Sequence, residues 1–238
     1  AFDAVRYRRL DVALAGGAEH PADRSGCVFM GFDRLQTLAR PLAEIGSENR
    51  PFDRQRSGFL FSEGGAAFAV LESEHSVMMR GVKPIAEIVG YGESVDARSV
   101  AAIRPDDNAI APMFKAALTD ARLDASRIDY INAHGTGTQL NDEVEAQQIA
   151  AVFGTRVRVN STKSILGHTI GAAGALEFVV TALSLARQQI HASLNLVEPI
   201  APLNFCTETE AATLEYALTH SFGFGGHNAG LVLRRPPD

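Results

Sequence analysis

The sequence predicts an α/β fold, in which short buried strands alternate with helices along the chain. Apolar runs at residues 128–131 and 157–159 each lead into a turn that contains glycine and histidine, and a helical segment follows each turn. Two further apolar runs, at 214–218 and 229–233, flank a glycine-rich turn and predict a β-hairpin. Polar side chains in turns of this kind are often functional, because the buried elements hold them rigidly.

The composition is that of an ordinary globular protein. The chain has 238 residues, of which 46% are hydrophobic and 21% charged, enough to bury a substantial core. Its formal net charge of −6 argues against nucleic acid as the main partner. Two cysteines without a disulfide framework fit a reducing compartment, so we expect a cytoplasmic protein with no signal peptide and no membrane span. The most apolar helix, near 171–185, carries Glu177 and many small residues, which favours burial between protein layers.

In chain order, the predicted elements before residue 84 are the end of an amphipathic helix at 1–9, a buried strand at 11–15 that ends at Gly16 and Gly17, a helix at 29–39 and a loop at 41–53. The first helix has no start signal, so we expect a fragment, a processed product or one part of a divided protein. An apolar run with a glycine turn at 58–72 is similar to 216–233, and this faint repeat predicts two similar halves. Beyond it we predict a strand at 84–92 and helices at 107–122, 141–153 and 171–188.

The most informative stretch is 160–175, with the sequence N-S-T-K-S-I-L-G-H-T-I-G-A-A-G-A. Lys163 and His168 stand five residues apart in it, and Gly167 and Gly171 flank the histidine. Considered alone, a histidine near a buried helix is explained equally well as a site residue or as a core residue with a satisfied hydrogen bond. A functional interpretation therefore needs a second observation.

That second observation is the stretch 132–138, with the sequence N-A-H-G-T-G-T. It places His134 after a strand and before a helix, as His168 is placed, and its glycines let backbone and ligand approach closely. We therefore predict that the two histidines share one site.

A third glycine-rich stretch, S-F-G-F-G-G-H-N-A, lies at 221–229 and is weak evidence by itself. The order H-G-T-G-T, K-S-x-x-G-H, G-F-G-G-x-N is much more specific. With these motifs the chain resembles the β-ketoacyl-carrier-protein synthases, the condensing enzymes of the thiolase fold. Further landmarks of the family extend the resemblance to nearly the whole chain, at 11–19, 50–53, 58–59 and 63–64.

The resemblance implies a thiolase-like layered αβαβα fold. Residues 1–84 would then be the end of the N-terminal ketosynthase half, and 85–238 the complete C-terminal half. The family's nucleophilic cysteine lies in a small-residue elbow upstream of the strand at 11–15, and we expect it to lie outside this chain. Neither Cys27 nor Cys206 stands in such an elbow, and we interpret both as small buried residues.

The implied reaction is the decarboxylative Claisen condensation of an acyl thioester with malonyl-carrier protein, in fatty-acid or polyketide biosynthesis. His134 and His168, as neutral imidazoles, would stabilise the enolate oxygen. Lys163 completes the catalytic set by ordering the His168 turn. The resemblance implies that Lys163 pairs with a carboxylate on the helix after H-G-T-G-T. Glu145 is the matching residue, and Asp142 lies one turn earlier. A purely structural pair is nearly as good an explanation, because any interior lysine needs a partner.

The resemblance also implies substrate contacts. Thr136 and Thr138 would hydrogen-bond the amide groups of a phosphopantetheine arm, although these hydroxyls would equally cap their turn. Phe224, with Gly225, occupies the gating position beside the acyl pocket, and flanking glycines suit a lid on a hinge. No other cofactor is implied, and the histidine spacing does not match a zinc helix, so we expect no metal.

The implied partners are an acyl carrier protein, the N-terminal ketosynthase segment or a partner chain, and a second subunit in a homo- or heterodimer. Basic side chains that would meet an acidic carrier protein, though equally explained as solvated surface residues, are Arg6, Arg8, Arg9 and Arg40. Two alternatives stay open. One is a non-catalytic subunit, either chain-length-factor-like or a scaffold, and the other is a fragment that cannot fold alone.

Overall fold

The computed structural model describes residues 1–42, 44–97 and 109–237. The strands in these ranges are β1 (Val12–Glu19), β2 (Gly65–Glu72), β3 (Glu87–Val95), β4 (Tyr130–Asn132), β5 (Arg158–Asn160), β6 (Gln189–Ile190), β7 (Asn204–Phe205), β8 (Glu210–Ala211), β9 (Tyr216–Gly223) and β10 (His227–Arg234). The α-helices are α1 (Phe2–Arg6), α2 (Cys27–Arg34), α3 (Glu74–Arg80), α4 (Ile110–Ala121), α5 (Gln139–Phe153), α6 (Lys163–Leu166) and α7 (Ala173–Arg187). Short 3₁₀ turns lie at Ala125–Arg127 and Ile170–Ala172.

The helix α7 lies between two sheets. On one side it packs against the antiparallel pair β1–β2, and on the other against a six-stranded sheet in the order β3-β10-β9-β4-β5-β7. Strands β9, β4, β5 and β7 run parallel to one another. Strand β10 runs antiparallel to both of its neighbours, β3 and β9. Of the predicted internal repeat, 216–233 forms the antiparallel pair β9–β10, whereas 58–72 contributes the strand β2, which pairs with β1 instead. The pairs β1–β2 and β9–β10 both pack on α7.

Side chains of the six-stranded sheet alternate between two hydrophobic cores. Ile131 and Leu218 belong to the core that also contains Phe114 of α4, whereas their neighbours Tyr130 and Ala217 belong to the core beneath α7. Successive residues of a strand point to opposite faces, so this sheet is covered on both sides. The layers are the two-stranded sheet, α7, the six-stranded sheet and the pair α4–α5.

The prediction that the first strand ends at Gly16 and Gly17 is wrong. The strand β1 continues through both glycines to Glu19 and pairs with β2 along its whole length. A Cβ atom on Gly17 would lie 2.8 Å from the carbonyl oxygen of Gly171. This glycine therefore allows the chain before α7 to approach the sheet closely, rather than turning the chain.

Several predicted helices differ from the observed helices at their ends. The helix α1 ends at Arg6 and α7 covers Ala173–Arg187. The helix α2 ends at Arg34, and Leu38 of its predicted range instead forms a parallel bridge with Phe59. The helix α4 begins at Ile110, and residues 107–108 of its predicted start lie outside the described ranges.

The two cysteines differ in exposure. Cys206 is buried as predicted, but Cys27 is exposed at the start of α2, so the prediction that it is buried is wrong.

Within the described part of the chain, Ile170–Arg187 is the one helical segment long and apolar enough to cross a bilayer by length and composition. Its helix α7 packs between the two sheets and carries the buried carboxylate of Glu177. A core helix of a protein with several layers has this same composition, as the sequence predicted.

The close packing of α4 on β3 should depend on Gly92. A Cβ atom there would lie 2.2 Å from the carbonyl oxygen of Met113 and 2.4 Å from the amide nitrogen of Ala117. We expect Gly92→Ala to lower the free energy of unfolding of the full-length protein by about 1–3 kcal/mol, measured by denaturant titration. The matched control is Gly31→Ala on α2, where no atom lies within 4 Å of the added methyl group. Equal effects of the two substitutions would contradict this packing.

Candidate active site

His134 and His168 lie together at one edge of the six-stranded sheet. The strands β4 and β5 are parallel neighbours, with Asn132 opposite Asn160, so the turns that follow them leave the sheet at the same edge. The two imidazole centroids are 5.7 Å apart and the rings are nearly perpendicular, at 88°. The structure thus brings together the two histidines that the motifs singled out.

Hydrogen bonds fix the same tautomer in both imidazoles. The Lys163 ammonium lies 3.2 Å from Nδ1 of His134, and the backbone N–H of Ile170 donates to Nδ1 of His168 at 3.1 Å. An ammonium or an amide N–H can only donate, so each Nδ1 accepts and the proton of each neutral ring is on Nε2. Both histidines are therefore prepared to donate from Nε2.

Both imidazoles are also kept neutral. Burial lowers the pKa of His134 well below its ordinary value, and the nearby Lys163 charge lowers it further. Burial and the same lysine charge lower the pKa of His168 well below its ordinary value. At neutral pH the site thus holds two uncharged N–H donors.

Lys163 pairs with Glu177 of α7, and the prediction that it pairs with Glu145 is wrong. Its Nζ donates to Oε1 of Glu177 and, at 2.6 Å, to the carbonyl oxygen of His134. The Ser221 hydroxyl donates to the other oxygen of Glu177 at 3.0 Å. Burial raises the pKa of the Glu177 carboxyl, and Lys163 opposes this shift. The sequence held a signal for this pair, because Glu177 is the carboxylate within an otherwise apolar helix.

Glu145 and Asp142 instead hold the turn that carries His134. Glu145 accepts the backbone N–H groups of His134 at 2.8 Å and Gly135 at 2.9 Å. Asp142 accepts the N–H groups of Thr136 and Gly137, each at 3.1 Å. Both carboxylates are buried near the start of α5, where the helix dipole also favours negative charge. The two carboxylates therefore support the His134 turn, whereas the prediction had them support the lysine.

The loop at 49–56 adds support that the motifs did not reveal. The Phe52 N–H donates to Asp142 at 2.7 Å, and the Arg56 guanidinium lies 3.6 Å from the same carboxylate. Burial nevertheless raises the pKa of Asp142 to about 6. The side chain of Asn49 donates to the carbonyl oxygens of Lys163 and Ser164, at 2.6 and 2.9 Å. The family landmark at 50–53 was the sequence signal for this loop.

Thr136 and Thr138 hydrogen-bond each other. Their hydroxyl oxygens are 2.8 Å apart, and the backbone N–H of Thr138 donates to the Thr136 hydroxyl at 3.3 Å. The Thr136 hydroxyl thus caps the turn, as one interpretation predicted. Their contact with a phosphopantetheine arm stays a prediction.

Phe224 lies at the tip of the β9–β10 hairpin and is 58% exposed. Its ring stacks on Phe32 at 6.1 Å, Phe32 packs on Phe59 at 5.3 Å, and Phe59 packs on His168 at 5.1 Å. Gly225, the next residue, has φ of 86°, in the left-handed region that glycine adopts without strain. A continuous row of aromatic rings therefore leads from the hairpin to the histidines.

Among the residues that the structure describes, no group of three or more His, Cys, Asp or Glu side chains is placed to hold a metal ion.

A layered α/β fold with two neutral imidazoles around a buried lysine defines the class of thiolase-like condensing enzymes. Residues 1–76 match the family described as "Beta-ketoacyl synthase, N-terminal domain", and residues 85–197 match "Beta-ketoacyl synthase, C-terminal domain". The chain belongs to the β-ketoacyl synthase family. The exact division at residue 84 stays a prediction.

Curated relatives agree with this family. The chain is 36% identical over 239 residues to 3-oxoacyl-[acyl-carrier-protein] synthase 2 of Vibrio cholerae, covering 97% of the chain and 57% of that protein. It is 35% identical over 245 residues to the synthase of the same name from Staphylococcus aureus, covering 99% of the chain and 57% of that protein. The chain thus spans little more than half the length of these relatives.

Solved structures confirm the predicted thiolase-like fold. A β-ketoacyl synthase from Burkholderia phymatum superposes with a TM-score of 0.92 at 38% identity, covering all of this chain and 58% of that one. A type II polyketide ketosynthase, solved in complex with its acyl-carrier protein, superposes with a TM-score of 0.95 at 32% identity and covers 100% of this chain and 59% of that one.

The Lys163–Glu177 pair should be strongly coupled. We expect Lys163→Met to lower the free energy of unfolding of the full-length protein by about 3–5 kcal/mol, because it leaves Glu177 buried without its cation. Adding Glu177→Met should restore at least half of the loss, since no charge then remains unpaired. Chemical denaturation of the two single variants and the double variant measures the coupling. Additive losses would contradict it.

The lowered histidine pKa values should appear in the pH dependence of stability. Below about pH 6.5, His168 is protonated in the unfolded chain but not in the folded protein. The free energy of unfolding therefore decreases as the pH is lowered, by up to about 1.4 kcal/mol per pH unit for this group. We expect His168→Asn to remove this part of the slope between pH 7 and 5, measured by denaturant titration. The raised pKa of Asp142 changes the pH dependence of stability in the opposite direction. This contribution is common to wild type and His168→Asn, so it cancels when the two slopes are subtracted. An unchanged slope would contradict a neutral His168 in the folded protein.

Proposed function

We propose that this chain forms the decarboxylating part of a β-ketoacyl-acyl-carrier-protein synthase, which condenses an acyl thioester with malonyl-carrier protein in fatty-acid or polyketide biosynthesis. The observation that carries the proposal is the pair of neutral imidazoles, His134 and His168, both fixed with the proton on Nε2. Two such donors in a buried site suit an oxygen on which negative charge develops.

In the proposed reaction, the bond between the malonyl carboxylate and the α-carbon breaks. Carbon dioxide leaves, and the electron pair moves into an enolate whose oxygen accepts hydrogen bonds from His134 and His168. The enolate carbon then attacks the carbonyl carbon of an acyl thioester, and the cysteine thiolate leaves as the new carbon–carbon bond forms. Because the donors are preorganised, little reorganisation is needed as charge develops. Lys163 would hold the His134 ring and help to keep both rings neutral, without touching the reacting carbon.

The remaining components of the reaction are part of the same proposal. The acyl-accepting cysteine would come from an N-terminal ketosynthase segment or partner chain outside these 238 residues. Both substrates would arrive on the phosphopantetheine of an acyl carrier protein, with Thr136 and Thr138 binding its amide groups and Phe224 and Gly225 gating the acyl pocket. The assembly would be a cytoplasmic homo- or heterodimer. The carrier-protein complex of the polyketide ketosynthase supports this choice of partner.

The histidine roles are tested in the complete assembly by His134→Ala and His168→Ala. Each should lower the rate of carbon dioxide release from malonyl-carrier protein by about 10²–10³-fold, the usual effect of removing one such donor. The matched control is His75→Ala, which removes an exposed histidine on α3 and should leave the rate unchanged. Unchanged decarboxylation in both active-site variants would refute the proposal.

A second candidate is a non-catalytic, chain-length-factor-like subunit. Structural neighbours include the ishigamide ketosynthase/chain length factor and a ketosynthase in complex with its chain length factor from Xenorhabdus doucetiae. Intact-mass analysis of the native assembly with iodoacetamide separates the candidates. Rapid labelling of one cysteine in a small-residue elbow supports the synthase. If no cysteine is labelled rapidly and substitutions of the two histidines are tolerated, the result supports the non-catalytic subunit.

A further inference from the structure

His220 is a buried histidine that the motifs did not single out. It lies on β9 and is 2% exposed, and its Nε2 is 2.6 Å from Oε1 of Glu145. Its other ring nitrogen, Nδ1, is buried and has no hydrogen-bond partner. An unpaired buried nitrogen costs stability, so packing alone does not explain a histidine here. The Nε2 contact therefore points to the role of the side chain.

The direction of this hydrogen bond follows from the other partners of Glu145. The carboxylate accepts N–H groups from the backbone of His134 and Gly135 and from the side chain of Asn141, at 2.8 to 3.0 Å. These three donors leave one acceptor position of the carboxylate to the fourth contact, and we assign the Nε2–H of His220 as the donor there.

The charges around the turn make this donor necessary. The buried carboxylates around the site are those of Asp142, Glu145 and Glu177. Asp142 lies near the Arg56 guanidinium, and Glu177 pairs with the Lys163 ammonium. Within the described ranges, the ionisable partner of Glu145 is His220 instead. A buried carboxylate needs a strong donor to offset its desolvation. Removing His220 would therefore disturb Glu145 more than either neighbouring carboxylate.

His220 also reaches His134 through aromatic rings. Its imidazole packs against Phe222 at 5.1 Å, and Phe222 packs against the His134 ring, also at 5.1 Å. On its other side, the His220 ring contacts Phe114 of α4 edge-on at 4.9 Å. One side chain thus contacts both the carboxylate that holds the His134 backbone and the ring that packs on the His134 imidazole.

We propose that His220 is a positioning residue for His134, which donates from Nε2 to Glu145 and so fixes the two peptide N–H groups of the His134 turn. Its effect on rate rests on the proposed condensing function, whereas its effect on the turn does not. The test therefore needs a kinetic and a structural readout. The informative variants are His220→Leu, which removes the donor, and His220→Gln, whose amide keeps a donor at a similar reach.

The structural readout is hydrogen exchange of the peptide that contains His134 and Gly135, measured in the full-length protein. We expect exchange to become at least about tenfold faster in His220→Leu and to stay within about threefold of wild type in His220→Gln, because exchange follows local opening. Tyr130→Phe is the control, since it loses a buried hydrogen bond to Asn160 on the same sheet but touches neither Glu145 nor His134. Unchanged exchange in the leucine variant, or equal effects of leucine and glutamine, would overturn the proposal.

The kinetic readout is malonyl decarboxylation by the complete assembly. In His220→Leu we expect kcat to fall about tenfold or more with KM within about threefold, because small misplacements of a catalytic group mainly slow the chemical step. Glutamine should restore the rate, and a variant that is only destabilised, such as Tyr130→Phe, should retain it. Should the leucine variant not fold, His220→Asn, whose amide is too short to reach Glu145, takes its place with the same expected losses. If wild type shows no decarboxylation, the proposed function fails, and the exchange comparison still decides the positioning role.

Discussion

A single ammonium group, that of Lys163, joins the parts of the site. It donates to the carbonyl oxygen and the Nδ1 atom of His134 and to the Glu177 carboxylate. These contacts link the turn after β5, the turn after β4 and the central helix α7. The same charge helps to keep both imidazoles neutral. The position and tautomer of the His134 ring, and the neutral state of both rings, therefore depend on one buried cation, which is stable there because Glu177 compensates it.

The fold supplies the surroundings that this cation needs. The six-stranded sheet is covered on both faces, so the turns at its edge are largely withdrawn from water. Burial then raises the pKa of Glu177 and lowers the pKa of His134, each in the direction that favours the uncharged form. Lys163 opposes the first shift and adds to the second. A charged pair and a neutral ring can thus lie side by side in one small volume.

Most of the architecture could be predicted from the sequence, because the local signals agree with one another. The apolar runs before His134 and before Lys163 placed β4 and β5, and the motif order placed the two histidines in one site. The partner of Lys163 was predicted wrongly, although Glu177 stood out as a carboxylate in an apolar helix. Glu145 and Glu177 stand at similar distances along the chain from the site, and only the packing of α7 between the sheets decides which of them reaches the lysine. His220 was missed for the same reason, since its contacts come from a distant strand.

The parallel pairing of β4 and β5 has an evolutionary consequence. The pairing places the turn that carries His134 beside the start of the segment that leads to His168, and backbone hydrogen bonds to Leu60 and Ser62 then hold the His168 end of that segment. The hairpin tip with Phe224 lies outside this pairing and is exposed, and surface segments tolerate insertion and substitution far better than paired strands. The hairpin beside the site can therefore vary more readily in this family than the paired strands on which the position of the two rings depends.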